Sequence, residues 1–259
     1  MSIEVRNLSF SYGEGYKVLK NINFKLKKGE FMSVLGCNGA GKSTLFRCIL
    51  GILSEYKGEI LFEGKDIKKL SQRELASYVA YIPQIHRPTF GYSVENMVLM
   101  GLNRELSIFK MPQDKHLQRV HLALKQVGIE ELSERNFAHL SGGEQQLTLI
   151  ARAIAQDSKV FIMDEPTSAL DFGNQYRVMN KIRELADKGY SVLMSTHNPQ
   201  HCFTFADSVL ALHRGKVESF GDPEKVINHD LIKKLYDINV KIEETESGMI
   251  INPYFDGIS

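Results

Sequence analysis

The sequence lacks the features that mark several protein classes. Its 259 residues contain 32 Lys and Arg against 31 Asp and Glu, a formal net charge of +1, with no block of basic residues. This composition argues against a dedicated nucleic-acid binder, which usually carries a clustered excess of Lys and Arg. There is no run of about 18 apolar residues, so no segment is expected to span a bilayer. The N-terminus alternates like a strand and has no signal-peptide apolar stretch.

Cysteine is also scarce. Cys37, Cys48 and Cys202 are odd in number and form no CxxC pair, which favours a reducing, cytosolic setting. We expect Cys48 and Cys202 to be small buried residues. Hydrophobic residues make up 43% and charged residues 24% of the chain, the ordinary range of a globular protein. A chain of this length can bury one large core, with or without a subdomain.

The apolar pattern first predicts strands. Residues 3–10 and 18–26 alternate between apolar and polar, and residues 31–35 form the continuous apolar run of a buried central strand. From about residue 87 to 158 the strand pattern vanishes, and apolar residues recur near i, i+3 and i+4, as in helices. We therefore predict a helical insertion in an α/β protein, with helices at 93–100, 114–127 and 142–155 and a strand at 79–82 before it.

Strand patterns return after the insertion. Residues 160–164 and 191–196 read as strands with a helix around 175–188 between them, the alternation of parallel βαβ units. The tail from residue 239 is expected to form a hairpin that turns at Ser247-Gly248. We predict one domain made of an α/β core over 1–86 and 159–238, a helical subdomain over 87–158 and a C-terminal extension over 239–259.

Residues 36–43, GCNGAGKS, match the phosphate-loop pattern GxxxxGK[ST] between a predicted strand and a predicted helix. The glycines let backbone N–H groups turn toward phosphate oxygens, and the helix N-terminus adds positive potential. Lys42 would neutralise the phosphates, Ser43 would ligate Mg²⁺, and Thr44 would donate to the α-phosphate. The predicted nucleotide-binding residues here are Gly36, Asn38, Gly39, Ala40, Gly41, Lys42, Ser43 and Thr44.

A second motif is the apolar strand that ends in Asp164-Glu165. Asp164 can hold Mg²⁺ through water, and Glu165 can polarise an attacking water. Two adjacent carboxylates at the end of an apolar strand cost repulsion and desolvation, so a functional role is expected.

Three single residues are weaker signals. His197 follows a predicted strand and could contact a γ-phosphate, Gln84 could ligate Mg²⁺ or the lytic water, and Tyr12 could stack on adenine. His197 and Tyr12 each have an ordinary structural alternative as a strand-end side chain, and a lone glutamine is weak evidence by itself.

Residues 140–146, LSGGEQQ, open a predicted helix. Ser141 stands where an N-cap belongs, and Gly142 and Gly143 allow close backbone approach. These residues alone leave open a capped helix with no further role.

Together, the motifs resemble the nucleotide-binding subunit of ATP-binding cassette transporters over nearly the whole chain. They occur in family order: Tyr12, GCNGAGKS, Gln84, LSGGEQQ, FIMDEP, SALD at 168–171, and His197. The resemblance implies a P-loop NTPase (RecA-like) α/β core with an N-terminal antiparallel β-subdomain and an inserted α-helical subdomain. It also implies an ATPase.

The same resemblance implies a head-to-tail homodimer that holds two ATP molecules. Each ATP would lie between the phosphate loop of one chain and Ser141, Gly142 and Gly143 of the other, with Asp171 near the dimer axis. Glu165 would be the general base, and His197 would hold the γ-phosphate and water. Ser43, Gln84 and Asp164 would be the Mg²⁺ ligands.

Within that superfamily, four segments resemble importers of metal chelates such as iron–siderophore, haem, cobalamin and molybdate-type ligands. They are YIPQ, YSVENMVLMG, EPTSALD and HRGKVESFGDPEKVI. This implies a subunit on the cytoplasmic face of the membrane, bound to an integral-membrane permease and served indirectly by a periplasmic or extracellular solute-binding protein. The helical insertion and the segment around 86–101 would dock the cytoplasmic helices of the permease. Many relatives have Arg in place of Gln145 and an acidic residue in place of Asn198.

Two alternatives differ in class. One is a soluble cassette ATPase acting on nucleic acid or ribosomes, whose relatives usually fuse two cassettes or insert long coiled coils. The other is a module that senses ATP without turnover, against which Glu165 and His197 count.

Overall fold

The computed structural model of the chain describes residues 2–13, 15–84, 91–105, 112–246 and 248–254. These residues form two units: Met1–Leu70 with Ala186–Ser259, and Ser71–Leu185. The boundaries predicted from the sequence divide the chain differently, into core, helical subdomain and extension, and they stay a prediction. None of the described helices is both long enough and apolar enough to cross a membrane.

The first unit begins with an antiparallel sheet. Its opening elements are β1 (Ile3–Ser11), β2 (Lys17–Leu26), β3 (Phe31–Leu35), α1 (Lys42–Ile49), β4 (Lys57–Phe62) and β5 (Lys65–Asp66). The strand order of the sheet is β2-β1-β4-β5, and Val5 of β1 lies opposite Phe24 on one side and Ile60 on the other. Buried and more exposed residues alternate through much of β1 and β2, so one face of the sheet packs on the core. The predicted N-terminal antiparallel sheet is confirmed.

The second unit is mostly helical. It contains α2 (Gln72–Tyr78), β6 (Val79–Ile82), α3 (Val94–Leu99), α4 (Asp114–Val127), α5 (Gly142–Ala155), β7 (Val160–Met163) and most of α6 (Phe172–Asp187). α5 packs against both α3 and α4. β6 and β7 are parallel, with Val79 opposite Val160 and Ile82 opposite Met163, so both strands end at the same edge. Gln84, Asp164 and Glu165, the predicted site residues of this unit, follow these two strand ends.

The remainder of the first unit supplies further strands beside β3. It consists of β8 (Ser191–Thr196), α7 (Pro199–Phe205), β9 (Ser208–His213), β10 (Lys216–Gly221), α8 (Pro223–Val226), α9 (His229–Tyr236), β11 (Asn239–Thr245) and β12 (Gly248–Tyr254). β3 lies between β8 and β9 and is parallel to both, while β9 and β10 are antiparallel. All five residues of β3 are buried, which confirms the predicted central strand.

The C-terminal hairpin β11–β12 is fastened to the helices before it. Val240 is 2% exposed and packs in a cluster with Cys202 of α7 and Leu235 of α9. The Gln200 side chain joins the outer edge of β12, donating through Nε2 to the Met249 oxygen at 2.8 Å and accepting from the Ile251 N–H at 3.1 Å. The hairpin is thus held by apolar packing and by a side-chain amide that acts as a strand partner. Its predicted turn at Ser247 lies outside the described residues.

Gly215, in the turn between β9 and β10, supports the phosphate loop. Its N–H donates to the Ala40 oxygen at 3.0 Å, and its own oxygen accepts from the Lys20 N–H at 2.7 Å. Its φ of +76° lies in the left-handed region, and an added Cβ would meet the Val18 oxygen at 2.0 Å. Only glycine fits this position without displacing backbone.

Gly215→Ala should lower the free energy of unfolding by about 3 kcal/mol, since left-handed strain and a backbone clash add. Gly64→Ala is the matched control, because Gly64 also has a positive φ, +83°, but open space around a Cβ. The control should cost only about 1 kcal/mol. Urea unfolding of the two variants measures the difference, and equal losses would contradict the clash at Gly215.

Candidate nucleotide site

The phosphate loop joins β3 to α1 in the first unit, and its glycines are needed for space. A Cβ on Gly36 would meet the Leu212 oxygen at 2.4 Å, and Gly41 has a φ of +108°. The loop starts beside β8, because the Gly36 N–H donates to the Thr196 oxygen at 3.3 Å. Asn38 and Gly39 are exposed, whereas Ala40 is buried. The sequence therefore builds a tight loop open to solvent at its tip.

Lys42 is the first residue of α1 and is only 5% exposed. Its Nζ donates to the Gly36 oxygen at 2.7 Å and to the Cys37 oxygen at 3.1 Å. The helix cap is Gly41, which offers no side-chain acceptor, and the first turn holds no acidic residue. The positive end of the helix and a buried ammonium are therefore offered to an anion. This geometry fits the phosphates of a nucleotide.

The predicted adenine contact lies next to the loop. Tyr12 is 52% exposed, and its ring packs edge-on against Phe10, with ring centroids 4.9 Å apart. Its hydroxyl lies 3.4 Å from Thr44 Oγ1. Ser43 is exposed on the first turn of α1. The first unit thus brings together the residues predicted to contact the adenine and the phosphates, and the Ser43 hydroxyl predicted to ligate Mg²⁺.

His197 also belongs to the first unit. Leu35 lies opposite Thr196, so the phosphate loop and His197 leave neighbouring strands at the same edge. His197 is exposed, and α7 follows it with Asn198 as N-cap, whose Oδ1 accepts from the Gln200 N–H at 3.0 Å. Asn198, which departs from the acidic residue of many relatives, therefore retains a capping role. One turn on, burial lowers the pKa of His201 and the neighbouring His197 lowers it further.

In the second unit, Asp164 and Glu165 follow β7 directly and are partly exposed. The Asp164 N–H donates to the Ile82 oxygen at 3.0 Å, which ties this turn to the end of β6. Glu165 has a φ of 45°, a left-handed conformation that is uncommon for a residue with a side chain. Such strain is concentrated at functional sites. Here it coincides with the predicted general base.

Gln84 lies two residues beyond β6 and is exposed. Its Nε2 donates to the Ser168 hydroxyl at 2.8 Å, so the structure brings Gln84 to the segment that follows Glu165.

Residues 140–146, here called the signature segment, contain the start of α5, which has a capping box. Ser141 Oγ accepts from the Glu144 N–H at 3.4 Å, while Glu144 Oε2 accepts from the Ser141 N–H at 2.8 Å and from its hydroxyl at 2.7 Å. These bonds from the Ser141 hydroxyl and N–H lower the pKa of Glu144. The capped helix predicted from the sequence is therefore present, with Ser141 and Gly142 facing solvent and Gly143 buried.

Gly142 and Gly143 allow the start of α5 to lie close to the side chains of Leu170 and Asn174. The sequence pattern did not predict this contact. A Cβ on Gly142 would meet Leu170 Cδ2 at 2.8 Å, and one on Gly143 would meet Asn174 Oδ1 at 2.8 Å. Asn174 in turn holds Asp171, with N–H to Oδ1 at 2.9 Å and Nδ2 to Oδ2 at 2.6 Å, which lowers the pKa of that carboxyl. Asn174 has no motif of its own, so sequence patterns gave no sign of it.

Gln145, which stands where many relatives have Arg, faces its own chain. Its Nε2 donates to the Phe137 oxygen at 3.1 Å and to the Leu140 oxygen at 3.2 Å. It stabilises the turn before the signature segment through the backbone.

The fold and the loop geometry together define a P-loop nucleotide-binding protein, and comparisons with known proteins refine this. The family model for ABC transporters matches residues 19–168. An uncharacterized ABC transporter ATP-binding protein of Haemophilus influenzae is 40% identical over 236 residues, 91% of this chain and 89% of that protein. The Helicobacter pylori protein named "Probable iron chelatin transport ATP-binding protein" is 36% identical over 240 residues, 92% of this chain and 93% of that protein.

A solved structure described as an inward-facing metal-chelate type ABC transporter superposes with a TM-score of 0.86 at 31% identity, covering 98% of this chain and 97% of that one. The chain belongs to the ABC transporter family, as an ATP-binding subunit with ATPase activity. The predicted fold class, an α/β ATPase with an N-terminal antiparallel sheet and a RecA-like sheet, is confirmed. ATP is the nucleotide of this domain.

Proposed function

We propose that this chain hydrolyses ATP to power import of a metal chelate through a separate membrane permease. The observation that carries the proposal is the likeness to the metal-chelate type transporter, which extends over 98% of this chain. The iron chelatin relative supports the same ligand class. The subunit would be a homodimer on the cytoplasmic face of the membrane, and a solute-binding protein would deliver the chelate to the permease.

In the proposed site, the triphosphate lies over the phosphate loop. Lys42 exchanges the Gly36 and Cys37 oxygens, now 2.7 and 3.1 Å from its Nζ, for phosphate oxygens. Backbone N–H groups at the tip of the loop and in the first turn of α1 bind the remaining phosphate oxygens, and Tyr12 stacks on the adenine. Because Lys42 is already buried, most of the cost of desolvating its charge is met before the nucleotide arrives.

Mg²⁺ would neutralise phosphate charge when bound. Ser43, Gln84 and Asp164 offer a hydroxyl, an amide and a carboxylate, the hard oxygen donors that this ion prefers. Each of the three is exposed or partly exposed in its own unit, so each is accessible to an ion that retains several waters.

Hydrolysis needs a base and a group that holds the γ-phosphate. Glu165 takes the proton of the attacking water, and His197 donates to the γ-phosphate. Ser141, Gly142 and Gly143 of a second copy would cover the same ATP, with Asp171 at the axis between the copies. Ser141 and Gly142 face solvent in the single chain, as this arrangement requires.

The test is to isolate the tagged chain with the membrane partner that co-purifies with it, and to assay the complex in liposomes. One of iron–siderophore, haem, cobalamin or molybdate should stimulate ATP hydrolysis several-fold and accumulate in the vesicles. A complex carrying Glu165→Gln should bind ATP without accumulating ligand. Stimulation by ribosomes or nucleic acid, with no response to any chelate, would overturn the proposal in favour of a soluble cassette ATPase.

A further inference from the structure

A short series of hydrogen bonds joins the Gln84 side chain to the backbone of Glu165 through Ser168. Gln84 Nε2 donates to Ser168 Oγ at 2.8 Å. The Ser168 hydroxyl donates to the Glu165 oxygen at 3.1 Å, and the Ser168 N–H donates to the same oxygen at 3.2 Å. All three residues lie in the second unit.

The direction of these bonds has a chemical consequence. A serine hydroxyl has one proton, and here that proton goes to the Glu165 carbonyl. Toward Gln84 the hydroxyl can therefore only accept, so it selects the NH₂ end of the amide. That choice fixes the amide orientation and leaves Oε1, the only atom of this side chain that ligates cations, at the other end.

Without such a contact Gln84 would be hard to order. It is exposed, and an exposed glutamine side chain with no partner populates several rotamers. One neutral hydrogen bond contributes about 1 kcal/mol, enough to shift the population of a side chain about fivefold. Ser168 is itself anchored to the backbone, because its N–H and its hydroxyl both donate to the carbonyl oxygen of Glu165. The φ of Glu165 is 45°.

We propose that Ser168 is a positioning residue that sets the orientation of the Gln84 amide beside the turn of Asp164 and Glu165, with Oε1 presented to the cation that accompanies ATP. The proposal rests on the proposed function, in which Gln84 is a Mg²⁺ ligand. It assigns to the first residue of the SALD segment a task within its own chain.

The first test observes the contact directly, by ¹⁵N NMR of the Gln84 side-chain amide in the full chain without nucleotide. In the parent, this amide should have shifts and heteronuclear NOE values of an ordered group. Ser168→Ala should move them to those of a solvent-exposed glutamine, and Ser168→Thr, which keeps a hydroxyl, should retain them. An amide unchanged in Ser168→Ala overturns the proposal.

The second test measures the Mg²⁺ concentration that gives half-maximal ATP hydrolysis. Ser168→Ala should raise it about fivefold, the effect of losing one neutral hydrogen bond. In a Gln84→Ala background the same substitution should change it less than about twofold, because the two side chains act together. A full effect in that background would show that Ser168 acts without Gln84, and would overturn the proposal.

Ser158→Ala is the matched control. Its hydroxyl also donates to a backbone oxygen in the second unit, that of Ala76 at 3.2 Å, and it lies outside the site. This variant should leave the Mg²⁺ dependence unchanged. If it raised the half-maximal Mg²⁺ concentration as much as Ser168→Ala, the effect of Ser168 would be a general loss of rigidity. A parent chain that did not hydrolyse ATP would refute the proposed function, whereas the NMR experiment would still decide the role of Ser168.

Discussion

Glu165→Gln should lower ATP hydrolysis by about 10²–10⁴-fold, the usual contribution of a general base, while ATP binding stays within a few-fold of the parent. The amide matches the carboxylate in shape but cannot take the proton of the attacking water. It also keeps the left-handed backbone at position 165, where the φ is 45°, under no more strain than before. Single-turnover hydrolysis and fluorescent-nucleotide binding separate the two effects.

The same variant should accumulate a dimer in the presence of ATP and Mg²⁺, since the nucleotide that joins two copies is no longer consumed. Light scattering after size exclusion measures this. Glu131→Gln, an exposed glutamate in a short helical turn, is the control and should behave like the parent. If Glu165→Gln hydrolysed ATP at the parent rate, Glu165 would not be the base.

Ser141→Arg should reduce hydrolysis to below roughly 1% of the parent, because losing contacts to the transferred phosphate costs at least two orders of magnitude. ATP binding to the same chain should remain. Ser141 is exposed at the start of α5, and in the proposed dimer an arginine there would meet the nucleotide of the other copy. Parallel assays of ATP binding and turnover give the comparison.

The chain provides a close control for this substitution. Ser71 caps α2 with the same box, its N–H and hydroxyl donating to Glu74 at 2.8 and 2.7 Å. Ser71→Arg loses an equivalent cap, worth about 1 kcal/mol, and should retain hydrolysis. Mixing Ser141→Arg with Lys42→Ala chains should restore part of the activity, because one composite site is then intact. If Ser71→Arg lost as much hydrolysis as Ser141→Arg, the role of Ser141 would be explained by helix capping alone.

Much of the fold could be predicted from periodicity. The helices Asp114–Val127 and Gly142–Ala155 and the strand Val79–Ile82 have the predicted bounds, because their apolar residues repeat at one period and their ends carry clear caps or polar breaks. The helix expected around residues 175–188 instead begins at Phe172. Asp171 Oδ1 accepts a hydrogen bond from the Asn174 N–H there, so the last residue of the SALD motif also caps the start of the helix.

The candidate site could be predicted only as a set of residues. Motif spacing predicted roles for Lys42, Asp164, Glu165 and Ser141, because each belongs to a pattern with a known chemical need. It gave no sign that Asn174 holds Asp171, or that Ser168 links Gln84 to Glu165, because both depend on side chains distant in sequence meeting in space. The hydrogen bonds that Lys42 makes to its own loop likewise follow from backbone geometry, which no pattern of residue types encodes.

The way Gln200 meets the C-terminal hairpin bears on self-association. A two-stranded hairpin normally exposes two rows of unpaired backbone groups, on which another chain can build a fibril. Here the amide of Gln200 occupies the edge of β12 at Met249 and Ile251, and the His229 ring meets the Val240 oxygen on β11 at 2.9 Å. In a protein proposed to act as a dimer, these contacts therefore hinder edge-to-edge strand pairing between copies, which would compete with the dimer.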